Sequence, residues 1–381
     1  MTPLKVQINI AKLYKTEALM LKCFALWNVS KQCSRKYKIA YKIYFWHFVV
    51  IYMLLFDLSM IIQIFINIKD LNEVINVFFI LAAAIAEQAK FSTMWIYRDS
   101  YETLFKQLNL RDFQPVNPAE VHIFSKALKI FFNLKRCYMF LSLTSMNIIL
   151  LTQYLIDKSQ LPLSAYTYFE VETRLSYCIV YVYQYISLAS CCVINIAFDT
   201  MVTSFFVYLN VQLDILANRL ENIGSNPQDS QAFINFQLKD CLLYYSKILC
   251  VSELIEKLVI IPISIQIFCS TLVFVASFYL LSTISGTENF VVFFKILLYQ
   301  ICMLLQIFIM CYFCNEITLK SKRLSYAIYQ ADWVGWNKPN RRLLLLMTLP
   351  VRQFSIICVQ TFHNTHNTID HKKLGQRPFK G

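Results

Sequence analysis

The chain has 381 residues, 57% hydrophobic and 15% charged, with a mean hydropathy of +0.48, a balance that excludes an ordinary soluble domain and points to the lipid bilayer. A formal charge of +13 would suit a nucleic-acid partner, but the basic residues sit in alternate loops between apolar runs, so no nucleic acid is expected. The five glycines, at 224, 286, 335, 375 and 381, form no phosphate-cradling cluster, which sets aside a nucleotide-driven pump.

Residues 1 to 42 carry eight Lys and Arg35 against one acid, Glu17. The apolar spacing of Leu13, Leu19, Leu21, Phe24 and Leu26 permits an interfacial helix there. A hydrocarbon core about 30 Å thick needs roughly 20 apolar helical residues, and six runs meet that length. The first is Ile43 to Ile68 with Asp57 inside it, and the second is Val74 to Tyr97 with Glu87 and Lys90. Glu87 and Lys90 are spaced i, i+3 and are expected to pair with each other. Residues 98 to 136 read as a polar segment, followed by a third span from Cys137 to Ile156.

Span four starts after Arg174, and its 39 residues Leu175 to Leu213 hold a single charge, Asp199. That is about twice what a bilayer requires, so the helix is expected to run on into the cytoplasm. The segment GSNPQDSQ, 224 to 231, is a turn. A helix then re-enters from Phe236, with span five as its uncharged half, Leu258 to Ile284. Span six runs from about Phe290 to Cys314 with a polar break at Asn315 and Glu316. The fold class is therefore all-α, a polytopic membrane helix bundle. Its divisions are a cytoplasmic segment 1–42, a six-span bundle 43–314 with cytoplasmic extensions, an anchor 315–347 and a tail 348–381.

Orientation follows from the Lys and Arg distribution, because basic segments are retained on the cytoplasmic side. Residues 1–42, 98–136, 199–257 and 315–381 hold nine, seven, four and eleven of the 36 basic residues. The N-terminus is thus expected inside, which opposes a G-protein-coupled receptor. The 13 cysteines lie mostly in apolar runs and read as buried, reduced thiols. Cys311-x-x-Cys314 lacks the second pair that zinc needs, so no metal or other cofactor is expected. The five His are confined to 47, 122 and the tail, no nucleophile-base arrangement appears, and no catalytic residue is expected.

A stretch near the C-terminus carries a pattern of its own: Cys314-Asn315-Glu316, Ser321, Leu324, Tyr326-Ala327-Ile328-Tyr329, Asp332-Trp333, Arg341-Arg342 and Leu343 to Met347. It resembles the C-terminal signature of the seven-transmembrane odorant receptor family of insects, with Cys314 in place of the usual Gly. The resemblance implies a plasma-membrane receptor subunit, not an enzyme. It would bind small volatile molecules in the outer half of its bundle and gate a nonselective cation channel in a hetero-tetramer with a co-receptor. Asn315, Glu316, Ser321, Leu324, Tyr326, Tyr329 and Trp333 would belong to its cytoplasmic anchor and gating apparatus. A gustatory receptor of the same superfamily is the nearest alternative, and a transporter a more distant one. After Met347 the pattern departs from the family. Pro350 and Arg352 interrupt the last apolar run, Leu343 to Phe362, where a central Arg costs about 2.5 to 3.5 kcal/mol. A final pore-lining span is replaced by a polar tail, which reads as an altered frame, a retained intron or a mispredicted exon, with a genuine divergent tail as the alternative.

A volatile ligand calls for an apolar, aromatic-lined cavity with few polar anchors. Three stripes satisfy that pattern: Asn147, Leu151 and Tyr154 on span three, Tyr177, Tyr181 and Tyr185 on span four, and Thr271, Val275 and Phe278 on span five. Interfacial anchoring and helix packing would produce the same tyrosine spacing. The orientation itself is open to test. The chain's single N-x-S/T sequon, Asn28-Val29-Ser30, is expected to stay bare in cells, and a glycosidase-sensitive mass shift lost in Asn28→Gln would reverse the topology.

Overall fold

The computed structural model describes residues 13–26, 34–156, 161–225, 228–283, 290–331 and 333–345, with the side chains of 152–156 and 283 excepted. Among the described residues the architecture is helical, and six helices are long and apolar enough to cross a membrane. The order is α1 (Lys15–Cys23), α2 (Arg35–Phe48), a π-helical turn (Val49–Leu54), α3 (Leu55–Ile66), α4 (Leu71–Ile96), α5 (Arg98–Leu108), α6 (Pro118–Ile156), α7 (Arg174–Glu221), α8 (Gln231–Thr283) and α9 (Phe290–Gln330). The helices α2 and α3 form one crossing through the π turn. Tyr183 donates to the Ile51 carbonyl at 2.9 Å and Tyr168 to that of Leu55 at 3.1 Å, so α7 and the loop before it hold the irregular turn.

Two expected boundaries shift. The third span is the second half of the 39-residue α6, because Pro118 suits the first turn of a helix and Phe124 and Phe131 continue its buried face. Polar composition there marks a helix leaving the membrane, not a loop. Likewise α9 runs unbroken through Asn315 and Glu316 to Gln330. Its buried stripe Phe313, Ile317, Ser321 and Leu324 keeps helical spacing while Asn315 turns outward.

The organising element is α7, 48 residues and about 72 Å long. Every residue from Ile196 to Leu213 is buried, the signature of a helix enclosed on all sides. Beyond the expected membrane thickness, polar links to its neighbours hold it. Asn210 donates to Phe313 O at 2.9 Å, Lys320 pairs with Asp214 at 2.6 Å, and Arg219 forks onto Glu120 at 2.8 and 3.1 Å. The short α1 is tied down by Lys135 against its buried Glu17 at 2.5 Å and by Tyr44 donating to Cys23 O at 2.8 Å.

The 53-residue α8 contains Pro262, which has no N–H to offer the carbonyl four residues earlier. That carbonyl, Leu258 O, is buried and receives the Tyr101 hydroxyl from α5 at 3.3 Å. Tyr101→Phe should therefore lower stability by about 1–3 kcal/mol, the cost of an orphaned buried carbonyl. In a Pro262→Ala background, whose restored N–H serves Leu258, the same change should cost little. Thermal melting of the four detergent-solubilised variants checks the cycle.

Candidate functional site

In the half of the bundle away from α1, five helices surround a cavity of about 710 Å³, its open mouth included. Four of them contribute the same helical stripe, i, i+3, i+4, i+7. On α6 it is Ser142, Ser145, Met146 and Ile149; on α7, Leu188, Cys191, Cys192 and Asn195; on α8, Gln266, Cys269, Ser270 and Val273; on α9, Tyr299, Cys302, Met303 and Gln306. Ala83 and Ala86 of α4 close the ring. Many of these side chains are small, sulfur-bearing or weakly polar, beside the larger Ile149, Leu188, Val273 and Tyr299. Small residues let helices approach closely, and where several face one point their missing volume becomes the cavity.

At one end, Leu163 packs in a cluster with Phe56, Leu81 and the cavity-lining Ile149. Its backbone is fastened by a reciprocal pair with the Gln184 side chain, both bonds at 3.2 Å. At the other end lies a polar floor. Lys90 of α4, fully buried, reaches Asp199 Oδ1 at 2.6 Å and Asn195 Oδ1 at 2.5 Å. Tyr138 and Gln306 donate to Asp199 Oδ2 at 3.0 and 2.5 Å. A charge pair in an apolar interior persists only when its remaining lone pairs and protons are met, and here four helices meet on one carboxylate.

The expected Glu87–Lys90 pair does not form. Lys90 turns to α7 instead, and Glu87 Oε1 is buried without a hydrogen bond; two residues on one helix gain less from each other than Lys90 gains from a fixed site across the interface. Asp57 accepts from Gln88.

Of the nine sequence-predicted ligand residues, the eight with described side chains do not line the cavity. Asn147 and Tyr185 bond to each other at 3.2 Å between α6 and α7, Tyr177 and Tyr181 stack at 6.1 Å, and Leu151 is exposed. Thr271, Val275 and Phe278 face outward, the last two 65% and 67% exposed. The side chain of Tyr154 lies outside the described residues. The three predicted spans do contribute walls, but through other faces. These residues lie toward the periphery, where tyrosines suit a membrane boundary.

In the signature segment, Ser321 and Leu324 are buried against the bundle. Asn315, Tyr326 and Tyr329 are exposed, Glu316 is half-buried, and Trp333 stacks near Tyr329 at 6.3 Å. Trp336 and Asn340, not singled out from sequence, are the buried members. Trp336 packs so closely on Gly224, at φ +71°, that a Cβ there would meet its indole nitrogen at 2.9 Å. Asn340 bonds the Gln231 carbonyl at 3.0 Å and Asn235 at 2.7 Å. The 333–345 segment thus docks on the α7–α8 turn. The eleven described cysteines are all free thiols, three buried, four half-buried and four exposed, so they are less buried than expected. No cluster of potential metal ligands occurs among the described residues. The segment after residue 345, including the departure from the family pattern, lies outside the described residues.

Comparison with known proteins accounts for this architecture. The 7tm Odorant receptor family matches residues 70–364. The chain belongs to that family. The receptor is 35% identical to odorant receptor 46a, isoform A, of Drosophila melanogaster over 334 residues, 87% of this chain and 86% of the relative. It is 24% identical to odorant receptor 94a of the same species over 72% of this chain and 71% of that one. Its fold matches the insect olfactory receptor OR5 from Machilis hrabei with a TM-score of 0.76 at 14% identity, covering 90% of this chain and 89% of that one. The same protein in complex with eugenol matches equally well. The receptor is thus a multi-pass membrane protein of olfaction and not an enzyme.

The polar floor predicts a clear asymmetry. Lys90→Met alone strands a buried carboxylate and should cost about 3–5 kcal/mol, read as loss of surface-labelled receptor. Lys90→Met with Asp199→Asn removes both charges, keeps an acceptor for Tyr138, and should recover most of that surface signal.

Proposed function

We propose that the receptor binds small volatile molecules in the cavity ringed by α4, α6, α7, α8 and α9, and with a co-receptor subunit opens a nonselective cation pathway in the plasma membrane. The carrying observation is the cavity itself, enclosed by matching stripes from four helices and floored by the Asp199 network. It lies in the half of the bundle opposite the basic loops, which is the outer half if the N-terminus is cytoplasmic. Three groups of the floor, Tyr138, Asn195 and Gln306, also line the cavity. A ligand pressing on them would act on Asp199, and through α7 on the Asn210–Phe313 and Asp214–Lys320 links to α9. The α9 extension and the 333–345 segment would then form the cytoplasmic anchor, offering the exposed Tyr326 and Tyr329 to a neighbouring subunit.

Co-expression with a family co-receptor, a panel of volatiles and recording of cation current test the reading. Ala83→Phe, which places a ring in the cavity, should raise the half-maximal concentration of every activating volatile at least about tenfold, a loss of roughly 1.4 kcal/mol of binding. Phe278→Ala on the outer surface should leave it unchanged. Equal responses from Ala83→Phe at normal surface density would remove the cavity from the mechanism.

A further inference from the structure

Most polar groups around the cavity are matched by the protein. Ser142 and Cys302 share a hydrogen bond at 3.1 Å, and Tyr138 and Gln306 are committed to Asp199. Two side chains on its wall each carry a buried polar atom with no partner. Gln266 of α8, 3% exposed, uses its amide N–H on Ser270 Oγ at 2.9 Å, and its Oε1 has no partner. Ser145 of α6, also 3% exposed, has a hydroxyl with no partner. Buried polar atoms are rarely left unpaired, and an acceptor such as Oε1 is satisfied only by a group that brings a proton. Met146, Ile149, Val273 and Met303 on the surrounding wall supply none and suit an apolar skeleton.

Resting on the reading that this cavity is the ligand site, we propose that the receptor is selective for volatiles bearing a hydroxyl group. The ligand O–H donates to Gln266 Oε1, and its oxygen can accept from Ser145. Ethers and esters of the same shape bring no proton, so binding them seals Oε1 away from any donor. A site built to hydrogen-bond a hydroxyl rejects analogues that lack it through this unpaired acceptor. Gln266 also lines the apolar groove between α8 and α9, so it stands in the partition between the two spaces, where its contact with a ligand would bear on α8 directly.

The test uses the full receptor with its co-receptor and matched pairs of volatiles: hexan-1-ol, benzyl alcohol and a series of their homologues, each beside its methyl ether. Wild-type receptor should respond to alcohols at concentrations about tenfold lower than to the paired ethers, the ratio expected for one neutral hydrogen bond in a buried site. Gln266→Met, which keeps the side chain's length, should bring the two to within about threefold by weakening alcohols without weakening ethers. Ser145→Ala should narrow the ratio less. Surface labelling verifies that each variant reaches the membrane, and Gln266→Asn, a shorter amide, provides a second variant that retains the chemistry. Ethers as effective as alcohols on the wild type, no activation by any alcohol, or an unchanged ratio in Gln266→Met would each overturn the proposal. If Ala83→Phe abolishes responses while the ratio is unmoved by Gln266→Met, only the hydroxyl selectivity falls. If neither variant alters any response, the cavity reading falls with it.

Discussion

A single carboxylate on the central helix sets much of this receptor's geometry. Asp199 is the only formal charge in the apolar part of α7, and it is held by Lys90 of α4, Tyr138 of α6 and Gln306 of α9. In water such a set would contribute little, but in an interior without water each missing partner leaves a desolvated group that nothing else can satisfy. The result is directional in a way that apolar packing is not. Leu and Ile accept many rotations of one helix against another, whereas a carboxylate with three donors accepts few. The rotations of α4, α6 and α9 about α7 are fixed at this level, and the faces they present farther along follow from it.

The cavity is one of those consequences. Once α4, α6 and α9 are rotated to feed Asp199 on α7, their next turns present many Ala, Ser, Cys and Met side chains toward the cavity. Such residues neither fill the space as Leu and Phe would nor attract water as charges would. The cavity is lined by a mixture of small, sulfur-bearing, weakly polar and larger apolar groups and bounded below by the floor network, with the cluster of Leu163 and Ile149 toward its other end. The two ends differ in kind: the floor is fastened by charge, the top by one side chain pair, Gln184 with the Leu163 backbone. The same economy of polar groups recurs where helices leave the expected bilayer, with Arg219–Glu120 and Lys320–Asp214 replacing lipid contact as the reason the extensions stay together.

Several features of the fold could be read directly from residue order. Six apolar runs of bilayer length became six crossings because a lipid-embedded backbone must satisfy its own hydrogen bonds, which leaves helix as the local solution. The unusual length of the Leu175 to Leu213 run correctly announced a helix far longer than a membrane. Helix ends were less visible. Polar stretches such as 118–136 and the Asn315-Glu316 step look like breaks when composition alone is weighed, yet α6 and α9 pass through them, since a helix leaving lipid becomes polar without ceasing to be helical. The signature around Tyr326 and Trp333 identified the family, but the neighbouring buried Trp336 and Asn340 acquire their roles from contact with Gly224 and Gln231.

Residue order by itself determined the class of protein, the number of crossings, the family and the long cytoplasm-directed character expected of α7, because each depends on local hydropathy, length or a contiguous motif. Tertiary structure decided which face of each helix points inward. Tyr177, Tyr181 and Tyr185, or Thr271, Val275 and Phe278, share a face by periodicity, but periodicity carries no origin. The rotation about the helix axis is set by partners on other helices, and for α4, α6, α7 and α9 those partners include the groups gathered around Asp199.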